Sequence, residues 1–359
     1  LPGCFADNYE YTYGLLDSPG GSSQYQLTVS VTPSLYDYYR SKDHEVYGYL
    51  QLARFVTAGA LSPIAEDLRV LYQEDEAFAN GVLMVVHQIL YEAGVSQKYP
   101  VETIVENRGD CDLLSFIAAS IMRAGGLDVV LLYYEKEGHM NVGVHLSQTP
   151  KDARFGVYYY TYKGTRYYMA ECTGGDWESG WRVGECPDML KQASALIIPL
   201  DDREESPPGQ VSSSFDIPSS SPLSLALSRT VVTVGSSVTI SGSISPVNSS
   251  ENVAIYVSPD GNGWNLLGTV ITDSEGRYLC TWATQIAGTY YVKASWSGNA
   301  EYAGADSDVR ALTFVQLDQT LFVTLILVSM LTLTGILVAV GKRTATHILE
   351  EIRINIPFE

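Results

Sequence analysis

The chain has 359 residues, of which 46% are hydrophobic and 18% are charged, so it can bury the cores of about two domains. This composition excludes a mainly disordered chain, a collagen-like chain and a small disulfide scaffold. Lys and Arg number 22 against 41 Asp and Glu, a net charge of −19. Nucleic acid is not an expected partner, because phosphate contacts need a basic surface.

Residues 1–200 are predicted to form a domain of mixed helices and strands. An alternating pattern predicts a strand over 25–32. The helix signals are an N-cap serine followed by proline at 62–63, an apolar run over 78–94 and a second apolar run over 112–124 that stops at two glycines. The strands that follow are predicted at 128–135, 139–146, 155–162, 165–171 and 194–200. Helices followed by a run of strands indicate an α+β fold.

The candidate catalytic residues concentrate around Cys111, in the segment NRGDCDLLSF. Cys111 lies at the predicted start of an apolar helix, with Asp110 as its cap. A helix N-terminus lowers the pKa of a thiol, but the carboxylates of Asp110 and Asp112 oppose this effect. A nucleophilic Cys111 would therefore need a base, and the alternative is a small residue packed at a helix start.

His139 and Glu171 are the candidate partners of this thiol. His139 lies where a turn enters a strand, and Glu171 lies at the end of a later strand. A thiol, an imidazole and a carboxylate on neighbouring elements can form a catalytic triad, in which the thiolate attacks a carbonyl and the imidazolium protonates the leaving amine. A structural histidine, as expected for His145, remains the alternative for His139. No metal or cofactor site is predicted, because no CxxC or HxxxH spacing occurs.

The segment YPVETIVENRGDCDLLSFIAASIMRAGGLDVVLLYYEKEGHMNVGVHL resembles the transglutaminase-like superfamily, in its archaeal and bacterial cysteine-peptidase-like branch. VTPSLYDYYRS upstream and YYMAECTGGDW downstream extend the resemblance over about 25–200. It implies a papain-like α+β core in which the nucleophile helix packs on an antiparallel sheet. It also implies roles for four residues: Cys111 as nucleophile, His139 as general base and acid, Glu171 as the orienting acid, and Gln88 as an oxyanion-hole donor beside the backbone N–H of Cys111.

The remaining cysteines of this domain suggest a disulfide. If the domain lies outside the cell, as the C-terminal apolar run described below predicts, its structural thiols would tend to form disulfides. Cys172 and Cys186 flank the loop TGGDWESGWRVGE, and a disulfide between them would hold this loop beside Glu171. The sequence therefore predicts a Cys172–Cys186 pair and an unpaired Cys111.

Residues 201–222 are rich in Ser, Pro and acidic residues, which predicts a linker. Alternating apolar runs over 223–316, separated by turn signals at 258–261 and 273–276, predict an all-β sandwich. The segments TVGSSVTISGSISP, GRYLCTW and AGTYYVKASWSGNAEYAGA resemble the immunoglobulin-like modules of archaeal and bacterial surface proteins. This resemblance implies a spacer or an adhesive module.

Residues 321–340, LFVTLILVSMLTLTGILVAV, contain no charge. Twenty helical residues span about 30 Å, the thickness of the hydrocarbon core of a bilayer. The run therefore predicts a single transmembrane helix, with a buried core helix as the alternative. Because Lys342 and Arg343 follow it, the positive-inside rule places the tail 341–359 in the cytoplasm and 1–320 outside the cell membrane.

Together these features predict a membrane-anchored extracellular cysteine peptidase or amidase that forms a thioester acyl-enzyme on cell-surface proteins. The same triad would make a transglutaminase if a lysine amine replaced water as the acceptor. The alternative is a catalytically silent scaffold or a structural subunit of a membrane or envelope complex. The expected partners are a protein or peptide substrate and the lipid bilayer.

Overall fold

The computed structural model describes residues 8–21, 24–174, 176–200, 207–215, 221–246, 250–299, 302–316, 338 and 340–343. The predicted transmembrane run 321–340 and the tail 341–359 lie almost entirely outside the described residues. Among the residues that are described, no helix is both long and apolar enough to cross a membrane.

The N-terminal domain is α+β, as predicted. Its α-helices are α1 (Pro33–Arg40), α2 (Ser62–Leu71), α3 (Asp75–Val86), α4 (Pro100–Glu106) and α5 (Cys111–Ala124), and short 3-10 turns cover Tyr49–Phe55, Ala58–Leu61 and Asp188–Leu190. Its strands are β1 (Tyr9–Leu16), β2 (Gln24–Val31), β3 (Leu90–Tyr91), β4 (Arg108–Gly109), β5 (Val129–Tyr134), β6 (His139–Val144), β7 (Tyr159–Tyr162), β8 (Thr165–Ala170), β9 (Leu196–Pro199) and β10 (Ser212–Ser214).

Helix α5 packs on a five-stranded antiparallel sheet whose strand order is β7-β8-β6-β5-β9. Phe116 and Ile117 of the helix share one buried apolar cluster with Leu131 and Val142 of the sheet. Ser115 adds a hydrogen bond from its hydroxyl to the carbonyl of Met140, at 3.2 Å. This packing brings the first turn of α5 to the start of β6.

Local signals set both ends of α5. The side chain of Asp110 caps the helix by accepting a hydrogen bond from the backbone N–H of Leu113, at 3.3 Å. At the other end Gly126 has a φ of 87°, which favours glycine. Gly125 is required for space, because a Cβ there would lie 2.1 Å from the ring of Phe78.

The helix predicted over 78–94 is wrong at its C-terminal end. Helix α3 ends at Val86, and the chain then turns and forms β3, which pairs in parallel with β4. The backbone N–H of Glu92 donates to the carbonyl of Gly109 at 2.9 Å. Pairing with the residues directly before Asp110 therefore overrides the local helical pattern and places β3 beside the start of α5.

The segment predicted as a linker, 201–222, contains a buried strand. Strand β10 pairs antiparallel with β2, so the strand order of this second sheet is β1-β2-β10. Its serines are buried because their hydroxyls find partners: Ser213 donates to Asp67 Oδ2 at 2.6 Å. The polar composition of this segment suggested exposure, but small polar side chains can be buried when their hydroxyls form hydrogen bonds within the fold.

The C-terminal domain is an all-β sandwich, as predicted. Its strands are β11 (Ala226–Leu227), β12 (Val231–Thr233), β13 (Val238–Ser243), β14 (Asn252–Ser258), β15 (Asn265–Ile271), β16 (Arg277–Trp282), β17 (Gly288–Gly298), β18 (Ala303–Asp306) and β19 (Arg310–Val315). One sheet has the order β11-β13-β16 and the other β12-β19-β17-β14-β15, with β18 on β17. Ile240, Val292 and Phe314 are among the side chains of the core between them. The turn predicted at 258–261 is confirmed, because Ser258 Oγ accepts a hydrogen bond from the N–H of Gly261 at 2.8 Å.

The two domains are joined by a polar and aromatic interface. Ser34, at the start of α1, donates its backbone N–H and its hydroxyl to Asp306 Oδ2, at 2.9 and 2.7 Å. Lys293 Nζ lies 3.7 Å from Asp37 Oδ2 and 4.3 Å from the ring centre of Trp264. The sandwich is therefore held against the N-terminal domain by specific side-chain contacts in addition to the connecting chain.

Candidate active site

Cys111 is the first residue of α5, and only 6% of it is exposed. Its Sγ lies 3.9 Å from the carbonyl oxygen of Gly138 and 3.5 Å from Asp112 Oδ1. Because Gly138 directly precedes His139, the thiol lies against the start of β6. Its own backbone N–H belongs to the first turn of the helix, where N–H groups have no acceptor within the helix.

His139 and Glu171 form a hydrogen-bonded pair at this position. His139 Nε2 lies 3.0 Å from Glu171 Oε2 and 3.2 Å from Oε1. This contact leaves Nδ1 as the ring nitrogen for proton exchange with the thiol. The structure thus places the His139–Glu171 pair directly after Gly138, whose carbonyl oxygen contacts the Cys111 thiol, while the catalytic roles of these residues stay a prediction.

The pair favours a charged imidazolium beside a charged carboxylate. Burial is the largest influence on the pKa of His139 and would lower it, but the hydrogen bond and charge of Glu171, helped by Asp112, outweigh burial and raise this pKa. Burial would likewise raise the pKa of Glu171, yet His139 and the hydrogen bonds from Thr173 lower it. The imidazolium therefore persists to a higher pH than that of a free histidine.

The environment of the thiol works in the opposite direction. Burial first, and then the charge of Asp112, raise the pKa of Cys111 to about 12, although the backbone N–H of Met140 opposes this. The start of a helix alone therefore does not activate Cys111. A thiolate at neutral pH would need a positive charge beside the thiol, and His139 is the candidate to supply it.

Three further residues hold Glu171 and were missed by the sequence reasoning. Thr173 donates its N–H and its hydroxyl to Oε1, at 2.9 and 2.7 Å, and Asn141 Nδ2 donates to Oε2 at 3.3 Å. His87 Nε2 donates to the backbone carbonyl of Glu171 at 3.0 Å. Asn141 could have been found, because it lies two positions after His139 and therefore on the same face of β6. Nothing in the sequence points to His87.

The structure corrects the predicted role of Gln88. Its Nε2 donates to the carbonyls of Gly14 and Met84, at 2.9 and 2.8 Å, and its Oε1 accepts the N–H of Gly14 at 2.8 Å. Both amide protons are thus used to join β1 to the end of α3. Gln88 therefore has no donor left for an oxyanion and is a structural residue.

We expect the substitution Gln88→Leu to lower the free energy of unfolding by about 1–3 kcal/mol, because it leaves the polar backbone of Gly14 without its partners. The rate at which Cys111 reacts with iodoacetamide should stay unchanged. Urea unfolding followed by circular dichroism measures the first effect, and mass spectrometry of the labelled chain measures the second. Unchanged stability with loss of amide cleavage would restore the oxyanion role.

The predicted Cys172–Cys186 disulfide is wrong. Cys111, Cys172, Cys186 and Cys280, the four cysteines in the described part of the chain, are all unpaired thiols. Cys172 belongs to the apolar cluster under α5, whereas Cys186 packs in a separate cluster with Leu132 and Tyr134. The loop between the two cysteines is instead held by Arg154, whose guanidinium donates twice to the fully buried carboxylate of Glu185, at 2.9 and 2.7 Å.

Within the described ranges, no group of three His, Cys, Asp or Glu side chains is placed to hold a metal ion. Comparison with known protein families gives a match in the sandwich. Residues 225–315 match the family model described as "Bacterial Ig-like domain (group 3)". Residues 225–315 are a bacterial Ig-like domain. The comparison with curated proteins gives no match.

Solved structures give matches of low overall similarity. The sensor domain of the anti-sigma factor RsgI4 of Pseudobacteroides cellulosolvens is 16% identical, covers 28% of this chain and 98% of its own, and has a TM-score of 0.22. The adhesin InvE of Yersinia pseudotuberculosis is 11% identical, covers 53% of this chain and 55% of its own, and has a TM-score of 0.21. A chitin binding domain from Burkholderia pseudomallei is 14% identical, covers 25% and 57%, and has a TM-score of 0.19. These TM-scores assign neither fold nor function to this chain.

Proposed function

We propose that the N-terminal domain is a transglutaminase-like cysteine amidase or peptidase that acts through a thioester acyl-enzyme. One observation carries the proposal: the His139 imidazole is hydrogen-bonded to the buried carboxylate of Glu171, 3.0 Å away, where the Cys111 thiol meets the start of β6. A nucleophile, a base and an orienting acid in this order match the requirements of nucleophilic acyl transfer.

In the proposed reaction, His139 takes the proton of Cys111, and the Sγ–C bond forms to the carbonyl carbon of the substrate. The oxyanion lies at the N-terminus of α5, where the backbone N–H of Cys111 can donate to it. The imidazolium then protonates the leaving amine as the C–N bond breaks, which gives the thioester. Water attacks the thioester, His139 takes its proton, and the acid is released as the Sγ–C bond breaks.

We further propose that the domain acts outside the cell on a protein or peptide of the cell surface. The support is the uncharged run 321–340, followed by Lys342 and Arg343, which suits a single-pass anchor. The bacterial Ig-like domain would then lie between the membrane and the catalytic domain. Because the Ig-like domain contacts α1 directly, it would set the orientation of the catalytic domain as well as its distance from the membrane.

The acyl-enzyme itself is the test. The full chain, incubated with a mixture of acetylated peptides and quenched in acid, should carry an acyl mass on Cys111 that hydroxylamine removes. The variant Cys111→Ala should carry none, and Cys280 of the same chain serves as the control for nonspecific acylation. In water enriched in oxygen-18, hydrolysis adds one labelled oxygen to the product acid. If a primary amine is added to the reaction and is found bonded to the acyl group of the product, the enzyme catalyses transamidation.

The second candidate function, a catalytically silent scaffold, is favoured by the environment of the thiol. Cys111 is buried, and the adjacent Asp112 helps to keep its pKa high. A scaffold of a membrane or envelope complex would need no thiolate. If no acyl mass appears on Cys111 with any peptide, and alkylation shows an ordinary thiol, the enzymatic proposal fails and the scaffold remains.

A further inference from the structure

The two oxygens of the buried Glu171 carboxylate have different partners. Oε1 accepts both hydrogen bonds from Thr173, at 2.9 and 2.7 Å. Oε2, the oxygen nearer to the imidazole, lies 3.0 Å from His139 Nε2 and 3.3 Å from Asn141 Nδ2. Among the described residues, Asn141 is therefore the one neutral donor to the oxygen that contacts His139, and its amide helps to set where this oxygen lies.

The orientation of the Asn141 amide depends on a second residue. Asn141 is completely buried on β6. A carboxylate only accepts hydrogen bonds, so the amide must present Nδ2 to Glu171, and its Oδ1 then needs a donor. The hydroxyl of Tyr134 lies 3.4 Å from Oδ1 and donates to it. If the amide turned by 180°, its carbonyl oxygen would face the carboxylate and its NH₂ group would face a hydroxyl that already has a donor role.

Tyr134 is fixed in place by its surroundings. Its side chain is completely buried, and it lies on β5 directly opposite His139 of β6. The ring centres of His139 and Tyr160 are 6.2 and 6.1 Å from that of Tyr134. Burial raises the pKa of the Tyr134 hydroxyl above its usual range, so the hydroxyl keeps its proton and remains a donor.

We propose that Tyr134 is a positioning residue of the candidate active site: through the amide of Asn141, it holds the carboxylate of Glu171 toward His139. Without the Tyr134 hydroxyl the amide is free to turn, and the carboxylate loses a donor that stabilises its charge. The imidazolium then has a partner that becomes protonated at a higher pH. The inference rests on the proposed function where it connects this pair to acyl transfer, but the hydrogen bonds from Tyr134 to His139 need no substrate.

Other titratable groups surround this pair and do not donate to the carboxylate. Besides His139, the titratable groups on which the charge of Glu171 acts include His87, Tyr91, Cys172 and Cys186. His87 donates to the backbone carbonyl of Glu171 instead. Asp112 acts on His139, where its charge and that of Glu171 raise the pKa of the imidazole against burial, which lowers it. Tyr134 and Asn141 stay neutral, so they act on the pair by hydrogen bonding alone.

The variant Tyr134→Phe tests the proposal, because it removes one oxygen and keeps the ring. The full chain is labelled with carbon-13 histidine and titrated by NMR, with the His139 signal assigned by its loss in His139→Gln. This signal should change in two steps, and in the acid step the carboxylate of the pair is protonated. We expect Asn141→Leu to move the acid step up by about one pH unit, and Tyr134→Phe to move it up by less.

Tyr13→Phe is the matched control. The hydroxyl of Tyr13 is also buried in the N-terminal domain, but it has no hydrogen-bond partner in the described part of the chain. Its removal should leave both steps of the His139 titration unchanged. A thermal melt of each variant shows that the chain has remained folded.

The double variant separates positioning from a structural role. Tyr134→Phe should add nothing in the Asn141→Leu background, because the hydroxyl acts through the amide. An acid step that does not move in Tyr134→Phe, or that moves equally in both backgrounds, would overturn the proposal. Failure of the proposed function gives a different result: the acid step moves as expected, but no acyl mass forms on Cys111 of the unsubstituted chain. If the acyl-enzyme does form, the acid limb of its pH–rate profile should shift with the acid step.

Discussion

Alanine in place of His139 is expected to slow the alkylation of Cys111 by iodoacetamide at pH 7 by about tenfold for every unit by which the pKa of the thiol rises above 7. Only a thiolate reacts with this reagent. Burial and the charge of Asp112 raise the pKa of Cys111 to about 12. The imidazolium of His139 is the positive charge that can offset them, so its removal should move the midpoint of the alkylation profile toward alkaline pH.

The substitution Glu171→Gln should give an intermediate result. Because Glu171 raises the pKa of His139, its neutral replacement lowers that pKa, and the imidazolium is lost at a lower pH than in the unsubstituted chain. A larger fraction of the chains then has a neutral thiol beside a neutral imidazole, and a smaller fraction has the thiolate. We therefore expect the midpoint of alkylation to rise, but less than in His139→Ala.

The measurement is the rate of labelling of each cysteine from pH 5 to 10, resolved by mass spectrometry of peptides. Cys280, in the Ig-like domain, is the internal control, and neither substitution should change its rate. A thermal melt of each variant shows whether the domain has remained folded. If Cys111 in the unsubstituted chain is labelled only near pH 8.5, as an ordinary thiol is, or if His139→Ala has no effect, the thiolate–imidazolium pair does not exist.

The second large effect is expected at the contact between the two domains. Lys293→Met should lower the free energy of unfolding by about 3–5 kcal/mol, because it leaves the buried carboxylate of Asp306 without its countercharge. The Lys293 side chain is only 7% exposed and lies 3.7 Å from Asp37. Oδ1 of Asp306 is buried without a hydrogen-bond partner, and burial raises the pKa of this carboxyl even though the charge of Lys293 opposes the rise.

The double substitution Lys293→Met with Asp306→Asn should recover most of this loss, because it removes both charges together. Arg277→Met, which breaks an exposed ion pair with Glu275, is the matched control and should leave stability nearly unchanged. Urea unfolding followed by tryptophan fluorescence measures the loss, and Trp264, which Lys293 covers, is one of the five tryptophans that contribute to the signal. Equal losses in the single and the double variant would show that packing of the lysine chain, and not its charge, stabilises the contact.

Elements with strong local signals were predictable from the sequence. Helix α5 follows from the cap at Asp110, the apolar run and the two glycines after Ala124, and its observed bounds differ from the prediction by one residue. Strands such as β2 and β6 were predictable from alternating apolar and polar residues, because successive side chains of a strand point to opposite faces of the sheet. Strands β1, β3 and β10 were not predicted. The α+β class and the bacterial Ig-like domain rest on such patterns.

The sequence by itself also named the three central residues of the candidate site. Cys111, His139 and Glu171 could be named from their chemistry and their places at the ends of elements. The electrostatic state of the site could not be named, because it depends on burial. The pKa of His139 is raised only through a carboxylate from another strand.

Only the tertiary structure decided which polar groups act and which are structural. Gln88 could be an oxyanion donor by its position in the chain, but its amide protons are used by Gly14 and Met84. Cys172 could pair with Cys186 by spacing, but the two thiols pack in separate clusters. Hydrogen bonds and packing between residues far apart in sequence depend on distance in space, and no local pattern encodes that distance.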